Sequence, residues 1–560
     1  MNTSFSFIDW FEILIFFGLF LAIAPSLGKY IGRVLDGSIR IPAFFARIEK
    51  SAYYIARIDP AEEMTPLEYV LSLIVFALFS ALFLFAVLVG QEHLPLNPQA
   101  FPGLSWDQAL NTTISYVTGT HWLPYPPETY LSYASHLAGG TLQSFFSGAI
   151  GLSVLAALAR GFSRNKESTL GNFWVDFVRS ILYIFLPLAS ILSVFLIIQG
   201  VLQSFDPYVA ATTLEGNQQM IPQGPAATEI AISQLSGGGG GFFNVGRAHP
   251  LENPSALSNF FECIAMLIIP GAIPFAFATM VKSKGEGLLT FSVMFFLWIV
   301  GLALSLWSDH QFLENLKIDA LIEGKEARIG IANSATWLSI ASATGNGSLN
   351  STLSSATPLT QSVAFFNLLS GNVIFGPPGL GMCSMFLFIG LTVFLAGLLA
   401  GRTPEFLGKK LEWREMRWIA LGIAIPNILI LLTSAFLMGR FSGGHKPEEF
   451  SSLVFMVTSV FRLNGANLGM VNVATPFYNI VTAFAMGIGW LFSIIPVMAI
   501  AGNMALKRIY PESTLELAIL NRRLALLLIC LIAAFVFVVF FPLLLMGPLA
   551  NDLILFERVG

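Results

Sequence analysis

Four short stretches of the sequence combine glycine with threonine, serine or asparagine, and these residue types can bind a bare monovalent cation. Glycine adopts the left-handed backbone conformations that turn successive carbonyl oxygens toward one axis. A ring of such carbonyls can replace the hydration shell of the ion without any charged side chain. The candidate ion-binding residues are Thr118, Gly119, Thr120, His121, Gly238, Gly239, Gly240, Gly345, Asn346, Gly347, Asn464, Gly465 and Ala466.

The four stretches recur at a nearly constant spacing. When one glycine of each stretch is taken as a marker, the intervals between successive markers are 120, 108 and 118 residues. A nearly constant period is the signature of tandem structural repeats. The markers are Gly119, Gly239, Gly347 and Gly465.

Each stretch follows a mildly amphipathic segment that is too short to cross a bilayer. These segments cover residues 107–116, 228–235, 333–343 and 448–460. At about 1.5 Å of rise per residue, they reach only partway through a hydrocarbon core roughly 30 Å thick. We predict that they are re-entrant pore helices, whose carboxyl ends direct a partial negative charge of about 0.5 at the cation.

The composition places the chain in a membrane. Hydrophobic residues make up 55% of its 560 residues and charged residues only 11%, whereas ordinary soluble domains carry about 25% charged residues. Apolar runs near the roughly 20 residues that a spanning helix needs occur at 69–90, 181–200, 288–306, 385–399 and 524–545. The sequence therefore predicts an all-α polytopic membrane protein. Because non-helical backbone at membrane depth needs protein or water around it, the four stretches should line one pore.

Lys and Arg cluster in five loops, and this asymmetry predicts the orientation of the spans. The clusters lie at residues 29–57, 160–179, 282–284, 402–417 and 507–523, and basic loops of membrane proteins face the cytoplasm. We therefore expect about ten transmembrane helices with both termini outside. They would form four tandem repeats of span, re-entrant pore helix, filter and return span around a pseudo-fourfold pore, with one extra helix at each end. The predicted boundaries are 1–35 for the N-terminal helix, 36–170, 171–285, 286–412 and 413–510 for the repeats, and 511–560 for the C-terminal helix.

Several long motifs, in a fixed order, carry a family resemblance. They are Gly-Gly-Gly-Phe-Phe-Asn at 239–244 with His-Pro-Leu-Glu-Asn-Pro at 249–254, Gly-Arg-Thr-Pro-Glu-Phe-Leu-Gly-Lys-Lys at 401–410, and Ile-Ile-Pro-Val-Met-Ala-Ile-Ala-Gly at 494–502. With these motifs, the chain resembles the potassium-translocating subunits of bacterial Kdp-type ATPases, relatives of the Trk and Ktr potassium transporters. The resemblance covers essentially the whole chain.

The resemblance implies a bacterial inner-membrane protein that selects K+ at the four glycine stretches and needs no organic cofactor. It implies a tunnel through the third repeat that leads to a P-type ATPase subunit. Further implied partners are a single-span accessory subunit, a small membrane peptide and lipid, whereas no basic tract suggests nucleic acid. The chain has neither an Asp-Lys-Thr-Gly-Thr motif nor a phosphate-binding loop. We therefore expect that it is not an enzyme by itself and that the partner hydrolyses ATP.

Several residues depart from the family pattern where ions are expected to pass. Gly119, His121 and Leu123 replace the asparagines and the glutamine of an Asn-Thr-Asn-Trp-Gln pattern. Asn372 stands where a glutamate is usual in the third repeat, and Trp490 stands where an arginine is usual in the fourth return span. Because intramembrane charges usually mark ion pathways or pairs, we infer that this glutamate and arginine were coupled and lost together.

Two arginines could also affect the passage of ions. Arg402, within the motif at residues 401–410, joins Asn372 and Trp490 as a candidate for the tunnel or for coupling. Arg462 begins the fourth stretch, where the family favours asparagines. We place Arg462 at the pore mouth, where its charge would repel cations unless an acid neutralises it. Replacing it with asparagine would then raise the apparent affinity for potassium.

Other functions are compatible with parts of the sequence. A stand-alone Trk- or Ktr-like channel would show the same repeats, and a pore subunit with altered selectivity or coupling, or one that is purely structural, would show the same departures. An integral membrane enzyme would need acids, histidines or a nucleophile clustered in one cavity, whereas the six histidines mostly fall in predicted outer loops. Secondary transporters more often contain inverted repeats, but the charge pattern gives all four repeats one orientation. The glycine run at 237–241 could also be a flexible linker.

Overall fold

Long apolar helices dominate the structure, a computed structural model. The residues that it describes are 7–39, 43–316, 328–440, 447–469, 473–510 and 517–546. Within these residues, ten helices are long and apolar enough to cross a membrane, which confirms the predicted fold class. We call them spans 1 to 10 in chain order. Their bounds are Phe7–Leu35, Pro66–Val89, Tyr133–Ser163, Phe173–Ile198, Ala256–Met280, Lys284–Leu316, Leu380–Leu399, Trp413–Arg440, Pro476–Ala505 and Leu517–Met546.

A short helix lies between the outward and the return span of each of four pairs. These pore helices 1 to 4 contain 12, 11, 13 and 15 residues, too few to cross a bilayer. Each leads into one of the glycine-containing stretches at residues 118–121, 237–241, 345–348 and 464–467, which we call glycine segments 1 to 4. The predicted order of elements therefore recurs four times. The pore helices are Trp106–Val117, Ala226–Ser236, Ile331–Ala343 and Pro447–Phe461.

Thr-Pro pairs determine where the return helices of repeats 3 and 4 begin. Thr357 and Thr475 have extended backbones, and each hydroxyl accepts a hydrogen bond from the backbone N–H three residues later. Pro358 and Pro476 take the first helical position, where a missing N–H costs nothing. Capping of this kind satisfies one of the donors that every helix start leaves unpaired.

The third return span is broken. A half-helix, Pro358–Leu369, is separated from span 7 by residues 370–379, which we call the connecting loop. Pro377 and Pro378 lie in this loop, and proline lacks the N–H that a continuous helix needs. Asn372 has a positive φ of 61°, a conformation that few residues other than glycine adopt. The helix is therefore fully interrupted between Leu369 and Leu380.

Several short elements are not evident from the sequence. A helix, Ala43–Ala56, follows span 1. Antiparallel hairpins pair Val209–Thr212 with Gln218–Ile221, and Glu405–Phe406 with Lys409–Lys410. Short 3-10 turns are Gln91–His93, Pro127–Thr129, Gly246–Ala248 and Leu353–Ser355. The π-helical turns Leu137–Thr141 and Ser180–Phe185 join Tyr133–His136 to Leu142–Ser163 in span 3 and Phe173–Arg179 to Leu186–Ile198 in span 4.

The spans differ in how deeply they are buried. In spans 3 and 5, 78% and 89% of the most apolar window is buried inside the chain, against 22% in spans 2 and 10. Spans 3 and 5 are the return spans of repeats 1 and 2, so they form the inner wall of the protein. Spans 2 and 10 present most of their apolar surface outward, to lipid or to other membrane helices.

Lys409 ties together the ends of two return spans. Its ammonium group donates hydrogen bonds to the carbonyl oxygens of Gly161 (2.8 Å) and Met504 (2.6 Å), and a third to Arg164. The side chain is fully buried. A cation near helix C-termini satisfies carbonyls that lack a partner within the helix. Three of the five basic loops thus lie together, as expected of loops on one side of a membrane.

We predict that Lys409→Met lowers the stability of the chain. The methionine keeps most of the volume but leaves the three carbonyl groups without a donor, and hydrogen bonds to charged groups contribute about 1.5–3 kcal/mol. Thermal unfolding of the detergent-purified chain measures the loss. Lys410→Met is the matched control, because Lys410 is exposed on the same strand. Equal losses in both variants would contradict the role of Lys409.

Candidate ion-binding site

Backbone hydrogen bonds define the register of the glycine segments. In repeat 1, the carbonyl oxygen of Ser115 accepts from the N–H groups of Thr120 (2.9 Å) and His121 (3.2 Å). In repeat 3, the carbonyl oxygen of Ala341 accepts from Asn346 (3.1 Å) and Gly347 (3.2 Å) in the same way. Thr120 is therefore equivalent to Asn346, and His121 to Gly347.

The other two segments share this register. Gly238 donates to the Ser233 carbonyl at 3.0 Å, and Asn464 donates to the Ser459 carbonyl at 2.9 Å. The equivalent residues are thus spaced by 118, 108 and 118 residues. Gly119, the marker chosen for repeat 1, lies two residues too early. It stands next to the end of pore helix 1 and is not equivalent to Gly239. The residue equivalent to the other three markers is His121.

The four segments form a closed ring through contacts between neighbours. A Cβ added to Gly239 would overlap the Asn346 carbonyl oxygen, and one added to Gly347 would overlap that of Asn464. A Cβ added to Gly465 would overlap the carbonyl oxygen of Thr120. The remaining contact joins segment 1 to segment 2 through the imidazole of His121. Segment 2 therefore touches 3, segment 3 touches 4, segment 4 touches 1, and segment 1 touches 2.

An uncharged cavity of about 660 Å³ lies against this ring and is lined by all four segments. Its lining contains no Asp, Glu, Lys or Arg side chain among the described residues. Pore helices 1 to 4 end next to the segments, so the negative ends of four helix dipoles lie close to the ring. Such a site favours a cation.

The ring brings the predicted site residues together in two groups. Residues that line the cavity are His121, Gly239, Gly240, Gly347, Asn464, Gly465 and Ala466. Residues on the pore-helix side of the ring are Thr118, Gly119, Thr120, Gly238, Gly345 and Asn346. In the second group, the Thr118 hydroxyl bonds to the Ile114 carbonyl and to the Thr120 hydroxyl, both at 2.8 Å.

A buried charge cluster behind segment 2 is missing from the sequence prediction. Arg247 donates to the Gly240 carbonyl at 3.1 Å and to Glu252 at 2.7 Å, and its Nε lies 3.2 Å from Glu262. Glu252 in turn accepts from the N–H of Phe243 at 2.9 Å. The glycine run is thus held by its neighbours and is not a flexible linker. Charged residues inside a membrane protein usually have a function. This rule could have identified Arg247, Glu252 and Glu262 from the sequence.

A second buried pair links pore helix 2 to span 3. His136 Nδ1 lies 2.9 Å from a carboxylate oxygen of Glu229, and neither side chain is exposed. The His136 ring also packs on Phe242, with centroids 4.4 Å apart. His136 thus lies within span 3 and His121 within glycine segment 1, where it was predicted, while His445 lies outside the described residues.

Arg462 is not at the pore mouth, so that prediction is wrong. It occupies the position equivalent to Thr118 and Thr344, whose hydroxyls bond back to their own pore helices. The Arg462 side chain is buried and does not line the cavity. It donates to the side-chain oxygen of Asn427 in span 8. In the part of the chain that the structure describes, no carboxylate lies within ion-pair distance of this guanidinium.

The three tunnel or coupling candidates do not form one cluster. Asn372 is buried in the connecting loop and donates to the Arg462 carbonyl at 2.7 Å. Trp490 is buried in span 9. Arg402 is exposed beyond the far end of span 7, whose 20 residues separate it from the connecting loop by about 30 Å.

The connecting loop packs on the ring from the side away from the cavity. A Cβ at Gly237 would meet Pro378, and one at Gly345 would meet Pro377. Gly376 also donates to the carbonyl oxygen at the end of pore helix 3 at 2.9 Å. No residue of the connecting loop lines the cavity. Segments 2 and 3 are therefore enclosed between the cavity and this loop.

We predict that Arg247→Met strongly destabilises the chain. The substitution would leave the carboxylates of Glu252 and Glu262 buried without their cation, and breaking a buried pair in this way costs about 3–5 kcal/mol. Thermal unfolding of the purified chain checks the loss. Exposed Arg414→Met serves as the control, and an equally small effect of both substitutions would contradict the role of the cluster.

We predict that Arg462→Thr maintains or raises stability. It removes a buried charge without an acidic partner, whose desolvation is expensive, and the new hydroxyl can bond to the Thr458 carbonyl, as Thr118 and Thr344 do to theirs. The unfolding temperature of the variant should equal or exceed that of the parent. A clear decrease would mean that the guanidinium stabilises the fold.

Known proteins share both the sequence and the architecture. Residues 14–553 match the KdpA family, described as potassium-transporting ATPase A subunit. The potassium-transporting ATPase potassium-binding subunit of Pseudomonas aeruginosa is 42% identical over 552 residues, 97% of this chain and 98% of that protein. The subunit of the same name from Klebsiella pneumoniae is 41% identical, covering 95% of this chain and 96% of that protein.

A solved structure supports the fold. The potassium transporter TrkH from Vibrio parahaemolyticus superposes with a TM-score of 0.51 at 14% identity, covering 76% of this chain and 83% of that one. At this identity, the likeness concerns the fold alone. The sequence match, in contrast, extends over nearly the whole length of both proteins. The chain therefore belongs to the KdpA family of potassium-transporting ATPase subunits.

Proposed function

We propose that this chain binds K+ from the outer side of a bacterial inner membrane and passes it to a P-type ATPase subunit, which drives import. The observation that carries the proposal is the closed ring of four glycine segments at an uncharged cavity. The name shared by the relatives, potassium-transporting ATPase potassium-binding subunit, agrees with potassium as the cargo. In this proposal, the chain is the ion-binding subunit and hydrolyses no ATP.

The glycine segments act as the selectivity filter. Because no charged side chain lines the cavity among the described residues, the ion is recognised by backbone carbonyls and by side-chain amides and hydroxyls. Such groups replace the hydration shell only when their spacing fits the ion. The tight contacts between neighbouring segments hold this spacing.

The cavity faces the outside. Its lining comes from residues 121–127, 239–250, 347–353 and 464–469, all of which lie in chain segments between the basic clusters. Those basic clusters are predicted to face the cytoplasm. An ion would therefore enter the cavity from outside, and both termini would lie on that same side.

The connecting loop directs the ion sideways. It packs on the inner side of segments 2 and 3, where a straight pore would continue. An ion that leaves the ring would thus turn into repeat 3, toward the ATPase subunit. Asn372 lies on this route beside the Arg462 backbone, and we assign Trp490 and Arg402 to later parts of the path or to coupling.

The outward surfaces of the peripheral spans suit membrane partners. Spans 2 and 10 leave most of their apolar windows uncovered. Such surfaces fit lipid, the helices of the ATPase subunit, a single-span accessory subunit or a small membrane peptide.

The alternative is a stand-alone channel. The likeness of fold to a potassium transporter, TrkH, favours it over an enzyme. K+ flux into liposomes that contain this chain alone would support the channel, whereas flux that requires the ATPase subunit and ATP would support the pump.

Potassium should stabilise the purified chain against thermal unfolding more than sodium does at equal ionic strength. A ligand that binds only the native state at 100 times its Kd adds about 2.7 kcal/mol. Gly347→Ala should abolish the difference between the two ions, because its methyl group would overlap the Asn464 carbonyl and because φ is 71° at this residue.

Gly439→Ala is the control for this prediction, because the space around Gly439 is open. It should keep the response of the parent chain to potassium. Equal stabilisation of the parent by sodium and potassium would contradict potassium selection and would leave the architecture unaffected. In the assembled complex, the same Gly347→Ala variant should lose potassium-stimulated ATP hydrolysis.

A further inference from the structure

Asparagine side chains stabilise two of the boundaries between neighbouring segments. Asn346 accepts from the Ser348 N–H at 3.1 Å and donates to the Ser233 carbonyl of pore helix 2 at 3.4 Å. Asn464 accepts from the Ala466 N–H at 3.2 Å and donates to the Ala341 carbonyl of pore helix 3 at 3.1 Å. Each asparagine thereby holds its own segment and bonds to the preceding pore helix.

Both boundaries have a glycine on the opposite side. The residue that faces segment 3 from segment 2 is Gly239, and the one that faces segment 4 from segment 3 is Gly347. A side chain at either position would overlap the backbone of the next segment. The pattern is thus an asparagine on one segment and a glycine on its neighbour.

The boundary between segments 1 and 2 reverses this pattern. Gly238 stands at the asparagine position, and His121 stands at the glycine position. The three atoms nearest to a Cβ on Gly238 all belong to the His121 ring, and those nearest to a Cβ on Gly240 are Nδ1, Cγ and Cβ of the same histidine. The imidazole therefore occupies the space that a side chain at position 238 would need.

The His121 ring is packed from the other side as well. Its centroid lies 4.9 Å from that of Tyr116, edge to face, and its Nε2 lies 3.3 Å from the Ser144 hydroxyl. The residue is only 5% exposed and has a φ of 55°. A histidine that is buried and packed on both faces has little freedom to move.

We propose that His121 and Gly238 are a compensating pair that sets the distance between segments 1 and 2 and thereby the preference of the ring for K+ over the smaller Na+. The inference rests on the proposed function of the ring. His121 is a positioning residue, because it acts through the backbone of segment 2. Without the imidazole, the two segments could close toward each other, and the site would accept the smaller ion more readily.

Three variants test this pair. His121→Gly removes the imidazole and suits the left-handed backbone, so the chain should fold. Gly238→Asn alone would drive the amide into the imidazole. The double variant recreates the asparagine–glycine pattern found between segments 2 and 3 and between segments 3 and 4. The new amide can reach the carbonyl oxygen of Ser115, the residue equivalent to Ser233 and Ala341. The φ of Gly238 is not positive, so an asparagine can adopt this backbone conformation.

The readout is the ratio of NaCl to KCl concentrations that give half-maximal thermal stabilisation of the purified chain. His121→Gly should lower this ratio by about tenfold, which equals ~1.4 kcal/mol of discrimination. Gly238→Asn should lower it at least as much or fail to fold. The double variant should return to within about threefold of the parent, a difference below 1 kcal/mol.

His93→Gln is the matched control, because His93 is a largely exposed histidine in the turn Gln91–His93 and does not line the cavity. Its ratio should equal that of the parent. An unchanged ratio in His121→Gly, or a double variant no better than the worse single variant, would overturn the pair. If the double variant also fails to fold, the pair is equally overturned. A parent that does not discriminate between the ions would instead refute the proposed function.

Discussion

The architecture depends on backbones that approach more closely than side chains would allow. At Gly239, Gly347 and Gly465, a single methyl group would overlap a carbonyl oxygen of the next segment. These contacts join the four segments into a ring, and the distances across the ring follow from them. Recognition of a bare ion depends on such distances. The pore helices, the return spans and the buried charges can be understood as the means of maintaining three backbone contacts and one imidazole contact.

Non-helical backbone inside a membrane protein must find hydrogen-bond partners within the protein, and the segments do so in two ways. Segments 3 and 4 use their own side chains, Asn346 and Asn464. Segment 2 has no side chains of its own, so Arg247 donates to the Gly240 carbonyl from outside, and Glu252 accepts from the N–H of Phe243 just after the segment. The buried ion cluster and the glycine run thus depend on each other.

Hydropathy, glycine spacing and loop charge were sufficient to predict the spans and the short pore helices, because both follow from local sequence. The register of repeat 1 was not predictable from residue type, since Gly119 resembles the other markers whereas His121 occupies their position. The placement of Arg462 failed for a related reason. Its neighbours in sequence do not determine on which side of the ring its side chain extends. Arg247 and Glu262 meet only in the folded chain, so their pairing had no local signal.

The four quarters of the ring belong to one polypeptide, and this has an evolutionary consequence. In a ring of four identical chains, one substitution alters every boundary at once, so a bulky residue would need to fit four times over. Here a histidine could enter one boundary while a glycine accommodated it in the adjacent repeat, and the other three boundaries stayed as they were. Joining the repeats in a single chain therefore lets each quarter of the ring diverge separately, one neighbouring pair at a time.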